Sequence, residues 1–139
     1  MTASLYRRLM VYQYVAGLCD TSTGVLLVAA PAFTLGLMGL NVIPQPVAFV
    51  RYIGVFVLSV GLTYLWAAVC WPLTSRTHIA WSTQWKITAL IRSLVALFVL
   101  GQVASRAIEL RWIVVAFSDG LFALVQIIGL RKGWLARAG

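Results

Sequence analysis

The chain has 139 residues, of which 62% are hydrophobic and only 10% are charged, whereas a water-soluble domain carries about 25% charged residues. Because a folded chain of this length still leaves about a third of its surface exposed, this composition excludes an ordinary soluble domain and indicates lipid as the surrounding solvent. The net charge of +8 does not indicate a nucleic-acid-binding protein, since the basic residues flank apolar runs instead of forming one basic face. We therefore predict an all-α integral membrane protein, folded as a single domain over residues 1–139.

Four apolar stretches are long enough to cross a hydrocarbon core of about 30 Å, which takes roughly 17 to 25 helical residues. In chain order they cover residues 10–32, 48–71, 87–104 and 112–130. None shows the short alternation of polar and apolar residues that is typical of a membrane barrel strand, and helices satisfy their own backbone hydrogen bonds in lipid. The sequence therefore predicts a four-helix transmembrane bundle.

The two longer connections between these stretches differ in character. Residues 33–47 carry no charge and end in Pro44-Gln45-Pro46, so we predict a short helix or a partly re-entrant segment at the outer membrane interface. Residues 72–85 are more polar and include Arg76 and His78, which predicts an ordinary interfacial turn on the inner side.

The basic residues predict the orientation of the bundle. Those assigned to the inner side are Arg7, Arg8, Arg76, Lys86, Arg131, Lys132 and Arg137. The other side has Arg106 and Arg111, with Arg51 at its edge. Because cytoplasmic loops are enriched in Lys and Arg, we expect both termini in the cytoplasm and a multi-pass protein of the inner (cytoplasmic) membrane. The six tryptophans fall near predicted span ends, where we expect them at the level of the headgroups.

Four charged residues fall inside or at the edge of the predicted spans: Asp20, Arg51, Arg92 and Asp119. A charged side chain at mid-bilayer costs at least about 2.5 to 3.5 kcal/mol on insertion scales, so we expect each one to have an oppositely charged partner or a functional role. Depths estimated from a rise of about 1.5 Å per residue predict two ion pairs, Asp20 with Arg92 and Asp119 with Arg51.

Further polar residues share helix faces with these charges. Gln13, Gly17, Asp20, Thr21 and Gly24 fall on one face of the first helix, and Gln126 follows Asp119 by seven residues. They predict a polar seam through the bundle interior that includes Gln13 and Gln126. Such a seam either fixes which helices touch and in what register, or binds an anionic headgroup, a quinone or an ion through Arg92 or Arg51.

Much familiar chemistry is missing from the chain. His78 is the only histidine, and Cys19 and Cys70 have no second ligand at metal-binding spacing, so neither a bis-histidine haem nor a zinc site is predicted. There are only three acidic residues, the third being Glu109, and no nucleophile elbow, phosphate loop or dinucleotide-binding glycine pattern. We predict no catalytic residue, no metal and no cofactor beyond a bound lipid or quinone.

In size, span number and the arginine near the start of the second span, Arg51, the chain resembles in outline the small four-helix membrane proteins of the DoxX-like type. The resemblance implies the helical membrane fold and no activity.

Three functions remain open on the sequence. Scarce catalytic residues and an uncharged outer loop favour a non-catalytic accessory or stabilising subunit of a larger membrane complex. The first alternative is a binding or transport protein for a lipophilic or anionic small molecule, such as a lipid or a quinone, held in the Asp/Arg seam. The second is a membrane enzyme acting on a lipid or quinone. The expected partners are membrane lipids and other membrane subunits or further copies of the chain, and not nucleic acid.

Overall fold

The computed structural model describes residues 3–40, 43–71, 73–74 and 76–138. These residues form helices and connections, with no β-strand among them. The helices are α1 (Ala3–Ala29), α2 (Pro31–Leu37), α3 (Val47–Cys70), α4 (His78–Ala104), α5 (Ile113–Arg131) and α6 (Trp134–Ala138). A single 3-10 turn, Leu110–Trp112, leads into α5. The predicted all-helical class is confirmed.

Within the described residues, three helical segments are long and apolar enough to cross a membrane: Val47–Cys70, His78–Ala104 and Leu110–Arg131. At a rise of about 1.5 Å per residue, each exceeds the thickness of a hydrocarbon core. Helix α1 has the length to cross as well, with 27 residues, but Arg7, Arg8, Gln13 and Asp20 make it more polar than these three.

Helices α1 and α4 have boundaries that differ from those predicted, and α1 begins at Ala3 instead of residue 10. Helix α1 ends at Ala29 and α2 begins at Pro31, because a proline has no N–H to continue the α1 hydrogen-bond ladder but fits the first turn of a new helix. Helix α4 begins at His78, nine residues before the predicted start at Ile87. The predicted inner turn is thus shorter than expected, and the short helix predicted in the outer connection is present as α2.

A few polar and charged side chains are buried among apolar ones, while many large apolar side chains are exposed. The buried polar and charged residues are Gln13, Thr34, Thr88, Arg92 and Gln126. In contrast, large apolar side chains such as Val69, Leu97 and Phe117 are more than three-fifths exposed. Soluble proteins avoid contiguous apolar surface, so this distribution indicates a lipid environment around the helices.

Helices α1 and α3 pack as a close antiparallel pair. A Cβ atom on Gly24 would lie 2.4 Å from the backbone nitrogen of Leu58, and one on Gly61 would lie 2.4 Å from the backbone nitrogen of Thr21. The two backbones thus approach more closely than any residue with a side chain would allow, as small residues permit in membrane helices. Helix α5 packs against α4 as the second pair.

Apolar clusters close the two ends of the bundle. At the end where α1 begins, Leu9, Trp81, Trp85 and Leu135 form one cluster. At the opposite end, Leu27, Leu35, Leu40 and Val50 form the other. The buried charges lie between them.

Candidate functional site

Arg92 lies at the middle of α4, and its side chain is only 3% exposed. The helix buries one face, on which the residues around the arginine are Thr88, Ala89, Ala96 and Val99. These residues recur at the three- and four-residue spacing of a helix face. Because three of them are small or short, the neighbouring helices come close enough to surround the guanidinium group.

Each of the other three long helices contributes a side chain that bonds to the guanidinium group of Arg92 on α4. Arg92 donates through Nη2 to Asp20 Oδ2 on α1 and through Nη1 to Asp119 Oδ1 on α5, the latter at 2.6 Å. Its Nε donates to the hydroxyl of Tyr64 on α3 at 3.2 Å. All three nitrogens of the planar fork are therefore used, each towards a different helix.

Two aromatic rings cover the arginine. Arg92 Cζ lies 4.6 Å from the centre of the Phe122 ring and 5.4 Å from that of Tyr64, within the range of cation–π attraction. The two carboxylates are more open than the arginine, since the Asp20 and Asp119 side chains are 13% and 19% exposed. We call Asp20, Tyr64, Arg92 and Asp119 the arginine cluster.

A second layer of buried polar contacts lies towards the end where α1 begins. Gln13 is fully buried, donates to the backbone oxygen of Tyr64 at 3.2 Å and accepts from the Trp85 indole at 3.0 Å. Gln126, also fully buried, donates to the Thr88 hydroxyl at 2.7 Å. The first contacts tie α1 to α3 and α4, and the last ties α5 to α4.

No protein-family model, curated protein or solved structure matches the chain. The function proposed below therefore depends on this geometry.

Five of the six predicted seam residues lie in these two layers, and one does not. The structure brings together Asp20, Arg92 and Asp119 and places Gln13 and Gln126 beside them. The predicted contact between Asp20 and Arg92 is present.

The predicted pairing of Asp119 with Arg51 is wrong. Arg51 lies in the second turn of α3 with an exposed side chain, and Asp119 bonds to Arg92 instead. The reason is helix adjacency, since α3 packs mainly on α1 and α5 mainly on α4. A long basic side chain near a helix end reaches the membrane interface without a buried partner.

Sequence reasoning missed several residues of the site. Tyr64 follows Gly61 by three residues and so shares its buried face, which was the available signal. Trp81 and Trp85 are both fully buried between the helices, a contact that the prediction of a headgroup-level depth did not include. The early start of α4 places them on the helix, where they face the interior, and the Trp81 indole donates to the backbone oxygen of Trp71 at 2.8 Å.

The arrangement has limited chemical scope. In the part of the chain that the structure describes, no three His, Cys, Asp or Glu side chains are grouped so as to hold a metal ion. The guanidinium nitrogens already donate to protein oxygens. The cluster is therefore suited to joining helices, because one guanidinium group bonds to side chains of three other helices.

Proposed function

We propose that the protein is a four-helix membrane protein that acts by associating with other membrane components and not by catalysis. The observation that carries this proposal is the arginine cluster, in which one side chain from each long helix satisfies the others. Buried ion pairs of this kind fix which helices touch. The interior cluster then serves to hold the helices together, and the outer surface of the bundle is the part that other membrane components can contact.

The packing of α1 supports a fourth membrane crossing. If α4 spans the bilayer, Arg92 at its middle lies deep in the hydrocarbon, and Asp20 must lie at the same depth to bond to it. The contacts of Gly17 with Leu65 and of Gly54 with Leu27 also show that α1 lies along α3. The excess of basic residues on one side supports cytoplasmic termini in a cell's inner membrane.

Labelling of single cysteines tests this topology. With Cys19 and Cys70 changed to serine, we expect Gln45→Cys to react with an impermeant maleimide in right-side-out vesicles. Ser4→Cys and Ala136→Cys, both at exposed positions, should react only after the membrane is permeabilised. Reaction of Ser4→Cys and Gln45→Cys from the same side would show that α1 does not cross.

An exposed aromatic stripe on α3 supports association as the role. It consists of Phe49, Tyr52 and Phe56, each more than half exposed. The rings of Tyr52 and Phe56 contact each other edge to face, with centres 4.8 Å apart. Aromatic side chains offer large contact area at low entropic cost and are enriched at protein interfaces. We propose that this aromatic stripe contacts a second membrane protein chain.

Purification in a mild detergent tests the association. After correction for bound detergent, we expect the protein mass of the eluted complex to exceed that of one chain, 15.3 kDa, either as a homo-oligomer or with one defined partner. The triple variant Phe49→Ala, Tyr52→Ala, Phe56→Ala should shift the protein to the monomer, because it removes the contact surface. The matched control changes Phe117, Leu121 and Leu124, which are exposed on α5, to alanine. A wild-type monomer, or equal loss in both variants, would contradict the proposal.

A further inference from the structure

A partly enclosed cleft of about 300 Å³ lies at the end of the bundle where α1 begins and α5 ends. Its apolar walls come from four helices and consist of Leu5, Leu9, Trp85, Val125 and Trp134. Arg8 and Tyr12 add the polar groups. None of the four members of the arginine cluster lines it, so the cleft is separate from the site described above.

The helix pairing explains why the cleft is there. Helix α1 packs on α3 and α5 packs on α4, which leaves a gap between α1 and α5. The Tyr12 hydroxyl bridges this gap by donating to the backbone oxygen of Phe122 at 3.1 Å. Beyond α5, Gly133 adopts a positive φ of 63°, which turns the chain so that Trp134 forms a further wall.

A shallower groove of about 740 Å³ continues the cleft along the surface of α1. Arg8 and Tyr12 line both, and Val11 and Val15, 54% and 53% exposed, extend the groove towards the middle of the helix. From Arg8 to Val15 the helix rises about 10 Å. Over that distance the lining changes from cationic to apolar, in the direction in which a phospholipid changes from headgroup to acyl chain.

No aspartate or glutamate side chain lies beside the basic residues at this end. The chain has only three acidic residues. Asp20 and Asp119 bond to Arg92, and Glu109 lies beside the 3-10 turn at the opposite end. Arg7 and Arg8 therefore have no aspartate or glutamate of the chain beside them, and an anion is the complementary group.

We propose that the cleft and groove together bind one anionic phospholipid of the adjacent leaflet. Its phosphate lies against the Arg8 guanidinium, with Arg7 adding positive charge. One acyl chain lies along Val11 and Val15, and the glycerol region lies against the Tyr12 and Trp134 rings at the mouth of the cleft. The site goes beyond the proposed association, because it uses a different surface from the aromatic stripe on α3.

Native mass spectrometry of the full chain, delipidated in detergent, tests the site. The protein is titrated with phosphatidylglycerol and with phosphatidylcholine of the same chain lengths. We expect one phosphatidylglycerol to bind more tightly than phosphatidylcholine. Arg8→Gln should weaken phosphatidylglycerol binding about fivefold, the effect of one basic residue near an anionic lipid, and leave phosphatidylcholine binding unchanged.

Arg131→Gln is the matched control, because it removes the same charge from the same end at an exposed position that lines neither the cleft nor the groove. It should change phosphatidylglycerol binding less than twofold. Equal weakening by the two variants would reduce the effect to general attraction between charges and overturn the site. Equal binding of the two lipids by the wild-type protein would overturn it as well. Neither result bears on the elution test of association.

Discussion

Changing Arg92 to methionine is expected to destabilise the folded protein by about 3–5 kcal/mol, the usual cost of removing one partner from a buried ion pair. Methionine fills much of the same length without charge, so the effect comes from leaving Asp20 and Asp119 without their guanidinium donor. The Tyr64 hydroxyl loses a hydrogen bond at the same time. The measurement is the unfolding free energy in mixed micelles, from titration with a denaturing detergent.

Arg51→Met is the control for that measurement. It removes the same charge from an arginine whose side chain is exposed, and surface substitutions usually stay within about 0.5 kcal/mol. A comparable loss in the two variants would contradict the assignment of Arg92, and not Arg51, as the partner of the aspartates.

Neutralising the aspartates should restore much of the stability that Arg92→Met removes. In the triple variant Asp20→Asn, Arg92→Met, Asp119→Asn no buried charge is left without a partner, and replacing a buried ion pair by uncharged groups is often neutral. We expect the triple variant to be more stable than Arg92→Met alone. A further loss would mean that the carboxylates do not depend on the arginine.

Gly61→Val is expected to destabilise the protein by about 3 kcal/mol, the upper part of the usual range for overpacking. A Cβ atom at this position would lie 2.4 Å from Thr21 N and 2.6 Å from Thr21 Oγ1. The nearest atom belongs to the α1 backbone, so α1 and α3 would have to separate. That movement would also draw Asp20 away from Arg92. The same detergent titration measures the loss.

Gly101→Val provides the comparison, because no atom lies within 4 Å of the Cβ that it would add near the exposed end of α4. We expect little change or a small gain there, since a helix interior disfavours glycine. Equal destabilisation at both positions would argue against the close α1–α3 contact.

The sequence allowed the helices and one buried contact to be predicted, for physical reasons. An apolar stretch of about twenty residues is expected to form a helix, because a backbone in lipid must satisfy its own hydrogen bonds. The Asp20–Arg92 contact followed from opposite charges on two predicted spans, at depths that a long arginine side chain can connect. These are properties of single helices, and they can be read without knowing how the helices are arranged.

The pairing of Asp119 depended on which helices are neighbours, and depth alone does not provide that information. A depth counted from the predicted start at Ile87 puts Arg92 about 7 Å from the inner membrane edge, whereas the helix that begins at His78 places it at the middle. From there one guanidinium group reaches both aspartates. The wrong start of α4 and the unknown helix neighbours together assigned Asp119 to the wrong arginine.

The tryptophans show the same difference between what one helix reveals and what depends on its neighbours. A tryptophan near the end of an apolar stretch can face either the surroundings or the neighbouring helices, and the sequence does not distinguish the two. Trp66 is exposed, whereas Trp85 is fully buried and donates to Gln13. Trp85 lies on the face of α4 that packs against other helices, where Gln13 of α1 accepts its indole N–H. The sequence of α4 alone does not show which of its faces is packed in this way.

Double-mutant cycles between Arg92 and each aspartate test most directly whether one arginine is shared by two helices. Unfolding free energies are measured for Arg92→Met, Asp20→Asn, Asp119→Asn and the two double variants. A shared guanidinium group predicts a coupling energy of about 1 kcal/mol or more in both cycles, within the range for residues in contact. Coupling near zero in either cycle would contradict it.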